Sequence, residues 1–110
     1  GMPSPYVQDI VPSNPHFIQV EYPQTYRTDH SPEQVLRNFS VTLEQVLSKR
    51  DVAAIVTEAG IVTGFGSCYV APQGYLALVR KLAEQYGTLM ILDEVGTGFS
   101  RCGTLFGLEL

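Results

Sequence analysis

The chain has 110 residues, enough for one domain with its own core, and 45% of them are hydrophobic against 16% charged, the balance of a soluble globular protein. Eleven acids against seven bases give a net charge of −4. With no basic cluster there is no footprint for phosphate-driven nucleic-acid binding, and with no apolar run of bilayer length membrane insertion is not expected.

The N-terminus, Gly1-Met2-Pro3-Ser4-Pro5, has neither the basic region nor the apolar core of a secretory signal. Cys68 and Cys102 lie far apart, without a CxxC or metal-ligand spacing, which fits a reduced, cytoplasmic setting. A start at glycine and a strongly apolar end, Phe106-Gly107-Leu108-Glu109-Leu110, lead us to expect a piece of a longer chain.

Residues 1 to 16 hold Pro3, Pro5, Pro12 and Pro15 with no sustained periodicity and read as an irregular leading segment. His16 has no second His, Cys or acid at ligand spacing and reads as structural. Phe17-Ile18-Gln19-Val20 reads as a short strand ended by Tyr22-Pro23, and Gln24 to His30 as a loop with solvated Arg27 and His30. Ser31-Pro32-Glu33-Gln34 predicts a helix start, with Ser31 as N-cap, Pro32 at the first helical position and Gln34 reaching back in a capping box. Val35, Leu36, Phe39, Leu43, Val46 and Leu47 then recur at helical spacing, and Lys49 and Arg50 are expected to finish the helix where its dipole favours cations.

After Asp51, the β-branched run Val52-Ala53-Ala54-Ile55-Val56-Thr57 predicts a buried strand ending at Glu58. Residues 59 to 71, with Gly60, Gly64 and Gly66, read as a loop that lacks both the lysine of a P-loop and the spacing of a dinucleotide fingerprint. Pro72-Gln73-Gly74-Tyr75 opens a second helix with Tyr75, Leu76, Val79, Leu82, Ala83 and Tyr86 as its buried stripe, and Gly87 is placed to end it. From Thr88 the apolar run Leu89-Met90-Ile91-Leu92 predicts a strand buried on both faces, followed by Asp93-Glu94-Val95 and the glycines Gly96 and Gly98.

Strand, helix, strand, helix, strand over residues 17 to 95 implies an α/β fold of three layers, a mainly parallel sheet with flanking helices. Ligands of such sheets gather beyond the carboxyl ends of the strands, where this chain carries Glu58 and Asp93. A carboxylate there needs a partner. The candidates are a metal, a helix N-terminus, Arg101, the protonated ring nitrogen of a cofactor, or simply the amides of the following turn.

The string Leu92-Asp93-Glu94-Val95-Gly96-Thr97-Gly98-Phe99-Ser100-Arg101-Cys102-Gly103 resembles the L-D-E-V-Q-T-G-F-G-R-T-G signature of class III pyridoxal-phosphate aminotransferases. Ala71-Pro72-Gln73-Gly74-Tyr75-Leu76 is similar to that family's P-P-P-G-Y-L, and Tyr22-Pro23 with Tyr26-Arg27 to its Y-P…Y-R element. The resemblance implies that residues 1–110 are part of the large, cofactor-binding domain of the fold-type I enzymes. Residues 17–110 would supply a βαβαβ portion. It implies a parent transaminase that uses pyridoxal 5'-phosphate to move an amino group from an amine or amino acid to an oxo acid, and that is usually a homodimer.

Carried over residue by residue, the resemblance gives Asp93 to the pyridinium nitrogen and Val95 to the ring face. Glu58, where the family has an E-P motif and this chain has Ala59, falls on the substrate side of the cofactor. Gly96 stands where the family usually has a glutamine that reaches the ring's phenolic oxygen, and Ser100 and Cys102 replace a glycine and a threonine. The Schiff-base lysine of the family lies downstream of Asp93, whereas the only lysines here are Lys49 and Lys81, so these residues alone are expected to be inactive. Two other readings stay open: a small α/β binding or regulatory domain whose strand-end acids hold Mg²⁺, and a pseudoenzyme of the same fold. Against the first, Asp93 and Glu94 are expected to point to opposite faces of their strand.

Overall fold

The computed structural model describes residues 14–64 and 67–109. The leading segment therefore lies outside the described residues up to position 13. Its continuation differs from expectation, because Phe17 to Val20 is not a strand. Among the described residues no neighbour runs beside it to complete a ladder, and Phe17 and Ile18 are exposed. Val20 and Tyr22 alone lean on the core.

Helix α1 spans Pro32–Leu47, and the Ser31 hydroxyl accepts the Gln34 amide at 3.2 Å. The second half of the expected capping box is absent: the Gln34 side chain donates forward to Asn38 Oδ1 at 2.9 Å instead of back to residue 31. Phe39, Leu43 and Leu47 face the core. Lys49 and Arg50 fall beyond the helix, whose cap is Ser48, and Arg50 has a left-handed backbone. The guanidinium of Arg50 lies 5.5 Å from the Tyr86 ring centroid, so this charge serves a contact between helices rather than the end of its own.

Strand β1, Ala54–Glu58, leads directly into a hairpin, β2 (Ile61–Gly64) and β3 (Ser67–Val70), paired antiparallel with Ile61 opposite Val70. This hairpin replaces the loop expected over residues 59 to 71. The stretch is rich in β-branched residues, Ile61-Val62-Thr63 and Val70, and alternates enough to pair locally. Glycines at its edges give the same stretch the composition of a loop.

Helix α2 spans Tyr75–Tyr86 and buries Tyr75, Val79, Leu82 and Ala83. Gly87 ends it at φ 67°, a left-handed conformation that glycine adopts without penalty, and the amide of Thr88 returns to the Ala83 carbonyl at 2.9 Å. Strand β4, Leu89–Asp93, then runs parallel to β1 with Ala54 opposite Leu89 and Glu58 opposite Asp93. Its start is tied to β1 by Leu89 N to Ala53 O at 3.0 Å and by the Thr88 hydroxyl to Val52 O at 3.1 Å.

Both helices pack on one face of this parallel pair, where Ile55 and Met90 meet the Phe39, Leu43, Leu47, Tyr75, Val79 and Leu82 core. Val79 and Leu47 are almost wholly buried, each contributing roughly 1.5–3 kcal/mol by leaving water. The opposite face is open. Val56, Leu89 and Ile91 lie exposed on it, so β1, expected to be buried, and β4, expected to be buried on both faces, are half-buried among the described residues. The arrangement is α/β, a parallel sheet with flanking helices, and both strands end at an acid.

Candidate functional site at the carboxyl ends of the parallel strands

Glu58 and Asp93 are register partners and the last residues of their strands. Neighbouring strands lie about 4.8 Å apart and opposed residues share a face, so both side chains rise on the open face, with Val56 and Ile91 and away from the helices. The register thus brings the two sequence-predicted acids together at one rim.

Their environments differ. Glu58 is half-buried and its Oε2 accepts the amide of Thr63 at 2.9 Å and the Thr63 hydroxyl at 3.3 Å. The hairpin folds back over the strand end to make those bonds, with Gly60 N returning to Glu58 O at 2.9 Å and Ala71 N to Gly60 O at 2.8 Å. Asp93 is exposed, and its Oδ1 accepts the Val95 amide at 3.0 Å. Its other oxygen has no bond among the described residues, and Arg101 makes no ion pair with it. Asp93 is oriented by one amide and keeps an acceptor free on the open face, a geometry that fits a protonated ring nitrogen.

Glu94 does not continue the alternation of β4, because the strand stops at Asp93. It turns into the following loop, accepting the hydroxyl of the fully buried Thr97 and the amides of Gly107 and Leu108 at 2.9 and 2.8 Å. Gly107 and Leu108 open a short 3₁₀ turn, Gly107–Glu109, whose free amides welcome an anion. The Thr97 hydroxyl chiefly, then the two amides, hold Glu94 below the usual carboxylate range against an opposing desolvation. A side chain at Gly107 would press on Thr97 Cβ at 2.8 Å and on Glu94 Oε2 at 3.0 Å, so the closure needs glycine there. Sequence reasoning gave Glu94 and Thr97 no role; the signal available was an acid three residues before a threonine in a glycine-rich turn.

Val95 sits past the strand in the turn, with its side chain almost fully exposed. Phe99 and Ser100 both have left-handed backbones, φ 53° and 64°, in a loop closed by Ser100 N to Leu105 O at 3.2 Å. Gly96 has a packing reason for lacking a side chain: a Cβ built there would run into Thr63 Oγ1, with Thr63 Cγ2 at 3.3 Å. Beneath the site, Thr57 and the Tyr75 hydroxyl share a 2.7 Å hydrogen bond on the helix side of β1. The Tyr22 hydroxyl is buried with no partner among the described residues, and burial, helped by the nearby Tyr75 and Glu58, pushes its pKa well above the usual phenol range. Lys49 follows α1 and Lys81 lies exposed on α2, both in the helical layer, on the other side of the sheet from the acids. No group of three or more His, Cys, Asp or Glu among the described residues could hold a metal ion.

The geometry can be set beside known proteins. The family profile described as Aminotransferase class-III matches residues 2–110. The chain belongs to the class III aminotransferases. Among curated members it is 37% identical over 91 residues to an adenosylmethionine-8-amino-7-oxononanoate aminotransferase of Anoxybacillus flavithermus, covering 80% of this chain and 20% of that protein. It is 48% identical over 68 residues to the enzyme of the same name from Aquifex aeolicus, covering 61% of this chain and 15% of that one.

Among solved structures, a thermostable (S)-enantioselective omega-transaminase from Thermomicrobium roseum superposes with a TM-score of 0.83 at 35% identity, over 94% of this chain and 24% of that one. The omega transaminase from Pseudomonas jessenii in complex with PMP gives 0.77 at 32%, over 88% and 22%. This chain thus spans about a quarter or less of the length of these relatives.

Proposed function

We propose that this chain is the part of a pyridoxal-phosphate transaminase that carries the ring-nitrogen acid, and that Asp93 is that acid. The observation that carries the reading is the Asp93 carboxylate, oriented by one amide and open at its second oxygen on the exposed rim of a parallel sheet. Likeness to an enzyme solved with PMP supports the cofactor class. When bound, pyridoxal phosphate supplies an electron sink for bonds broken at the amino-bearing carbon.

The work of this chain's own residues is to hold that group. Asp93, ionised, keeps a proton at the ring nitrogen by raising that atom's proton affinity. Val95, exposed one turn beyond, offers an apolar side chain to the ring face. Glu58, fixed by Thr63, presents an Oε1 without a hydrogen bond among the described residues on the same rim, toward the substrate side. Glu94 closes the loop from residue 94 to 108 and so fixes the backbone that orients Asp93. The substrates of the reading are an amino donor, either an amine or an amino acid, and an oxo-acid acceptor; the assembly is a homodimer, in the cytoplasm.

The cofactor's aldehyde also needs a lysine amine on the site's face, and Lys49 and Lys81 lie on the other one. The 110 residues alone are therefore inactive in this reading. An assay with an amino donor, pyridoxal phosphate and an oxo acid tests both statements. The isolated chain is expected to give no turnover, while a full-length chain bearing Asp93→Asn should lose at least about a hundredfold in kcat, the scale of a group whose charge acts at the reacting ring. Turnover by the isolated chain, or an undiminished kcat in the full-length variant, would refute it.

A further inference from the structure

We infer that Thr63 is a positioning residue that ties the Glu58 end of β1 to the turn that follows Asp93, and that Gly96 is the socket it seats in. This rests on the pyridoxal-phosphate reading above. Thr63 touches no reacting atom. It makes three contacts with two different segments at once, the end of β1 and the turn after β4: its amide and its hydroxyl hold Glu58 Oε2 at 2.9 and 3.3 Å, and its side chain occupies the space into which a residue-96 Cβ would project.

Glu58 and Asp93 face each other in register about 4.8 Å apart across the strands, so two carboxylates stand side by side at the rim. Left free, like charges at neighbouring strand ends repel. Thr63 gives the Glu58 charge two donors from the hairpin and fixes where it stands at the rim. The seat at Gly96, three residues beyond Asp93, makes the hairpin's position depend on the turn that carries Val95. The missing side chain at residue 96 is thereby a condition for the hairpin to close over the rim, not a simple loss.

A mutant cycle in the full-length holoenzyme tests the lock, with three readouts: visible circular dichroism of bound pyridoxal phosphate, which reports how the ring is seated; kcat; and the unfolding midpoint. Gly96→Ala should cost about tenfold in kcat and diminish the visible signal, a coupling of the size neighbouring side chains show. In a Thr63→Ala background, where the seat is vacant, Gly96→Ala should cost less than about twofold. Thr63→Val keeps the branched bulk, so Gly96→Ala should remain as damaging there as in the natural sequence. Thr63→Ser keeps the hydroxyl and should retain more of the visible signal than Thr63→Ala.

Equal damage by Gly96→Ala in the Thr63→Ala and natural backgrounds would overturn the lock, whatever the unfolding midpoints do. A natural full-length chain with no visible pyridoxal band, yet with the coupling present in the unfolding midpoints, would overturn the cofactor reading and the positioning role with it while leaving the contact standing. The two failures are thus told apart.

Discussion

Asp93 is the last residue of β4, and Glu94, one residue past the strand's end, leaves its alternation of side chains to turn into the loop. Its partners, Gly107 and Leu108, lie 13 and 14 residues away, and no local pattern announces them. The depressed proton affinity of Glu94 sets a pH dependence. A carboxylate held below its ordinary value of 4.5 contributes stability that is fully present above that value and is lost as pH falls through the lower folded one. Order in the loop from residue 94 to 108 should therefore fail in acid, below about pH 4.5. Hydrogen exchange of the Gly107 and Leu108 amides checks this: they should lose protection in acid in the natural chain, and Glu94→Gln should expose them at neutral pH as well. Unchanged protection at both would refute it.

Ser100 offers a second test at this scale. Its φ of 64° lies where a side chain is strained, and the family signature has glycine at that place. Ser100→Gly should raise the stability of the full-length chain by about 0.5–1 kcal/mol, the relieved strain less the extra unfolded-state freedom of glycine. Urea denaturation reads the change, and a lower midpoint would contradict it.

Among the elements, both helices could be read from periodicity, and both parallel strands from their apolar, β-branched runs. Tyr75, Val79, Leu82 and Ala83 form a stripe that only a helix can bury, and Gly87 ends it as its position suggested. The hairpin was missed because glycines at 60, 64 and 66 look like a loop, while the pairing of Ile61 with Val70 depends on chain reversal rather than on either run alone. Phe17 to Val20 failed in the opposite sense. Its composition suits a strand, but a strand also needs a neighbour. Substituting Val79, the most completely buried side chain of α2, by alanine should cost about 2–3 kcal/mol, the loss of two buried methyl groups and the cavity they leave. A chemical denaturation curve measures it, and a cost under about 0.5 kcal/mol, typical of surface positions, would mean the stripe faces solvent.

The whole molecule shows one finished face and one unfinished one. The helices cover the first, and the second presents Val56, Leu89 and Ile91 beside the exposed Val95 and Phe99. A chain that spans about a quarter or less of its relatives leaves that surface in water, and exposed apolar patches beside unpaired strand edges associate. The isolated 110 residues should self-associate in light scattering at micromolar concentration, and Ile91→Asp should reduce the associated fraction. A monodisperse monomer would contradict the open face. Composition forecast a core and the alternation of elements a parallel α/β order, but an apolar run that can be buried on both faces does not say which face stays open.

At this scale the function rests on one electrostatic statement, that the charge of Asp93 keeps a cofactor ring protonated. Nuclear magnetic resonance of an isotopically labelled ring nitrogen in the full-length holoenzyme tests it most directly. The signal should have the chemical shift of a protonated pyridinium well above the pH at which the free cofactor loses that proton, and Asp93→Asn should move it to the neutral pyridine position. A ring nitrogen already neutral in the natural enzyme, or one unmoved by Asp93→Asn, would contradict the account.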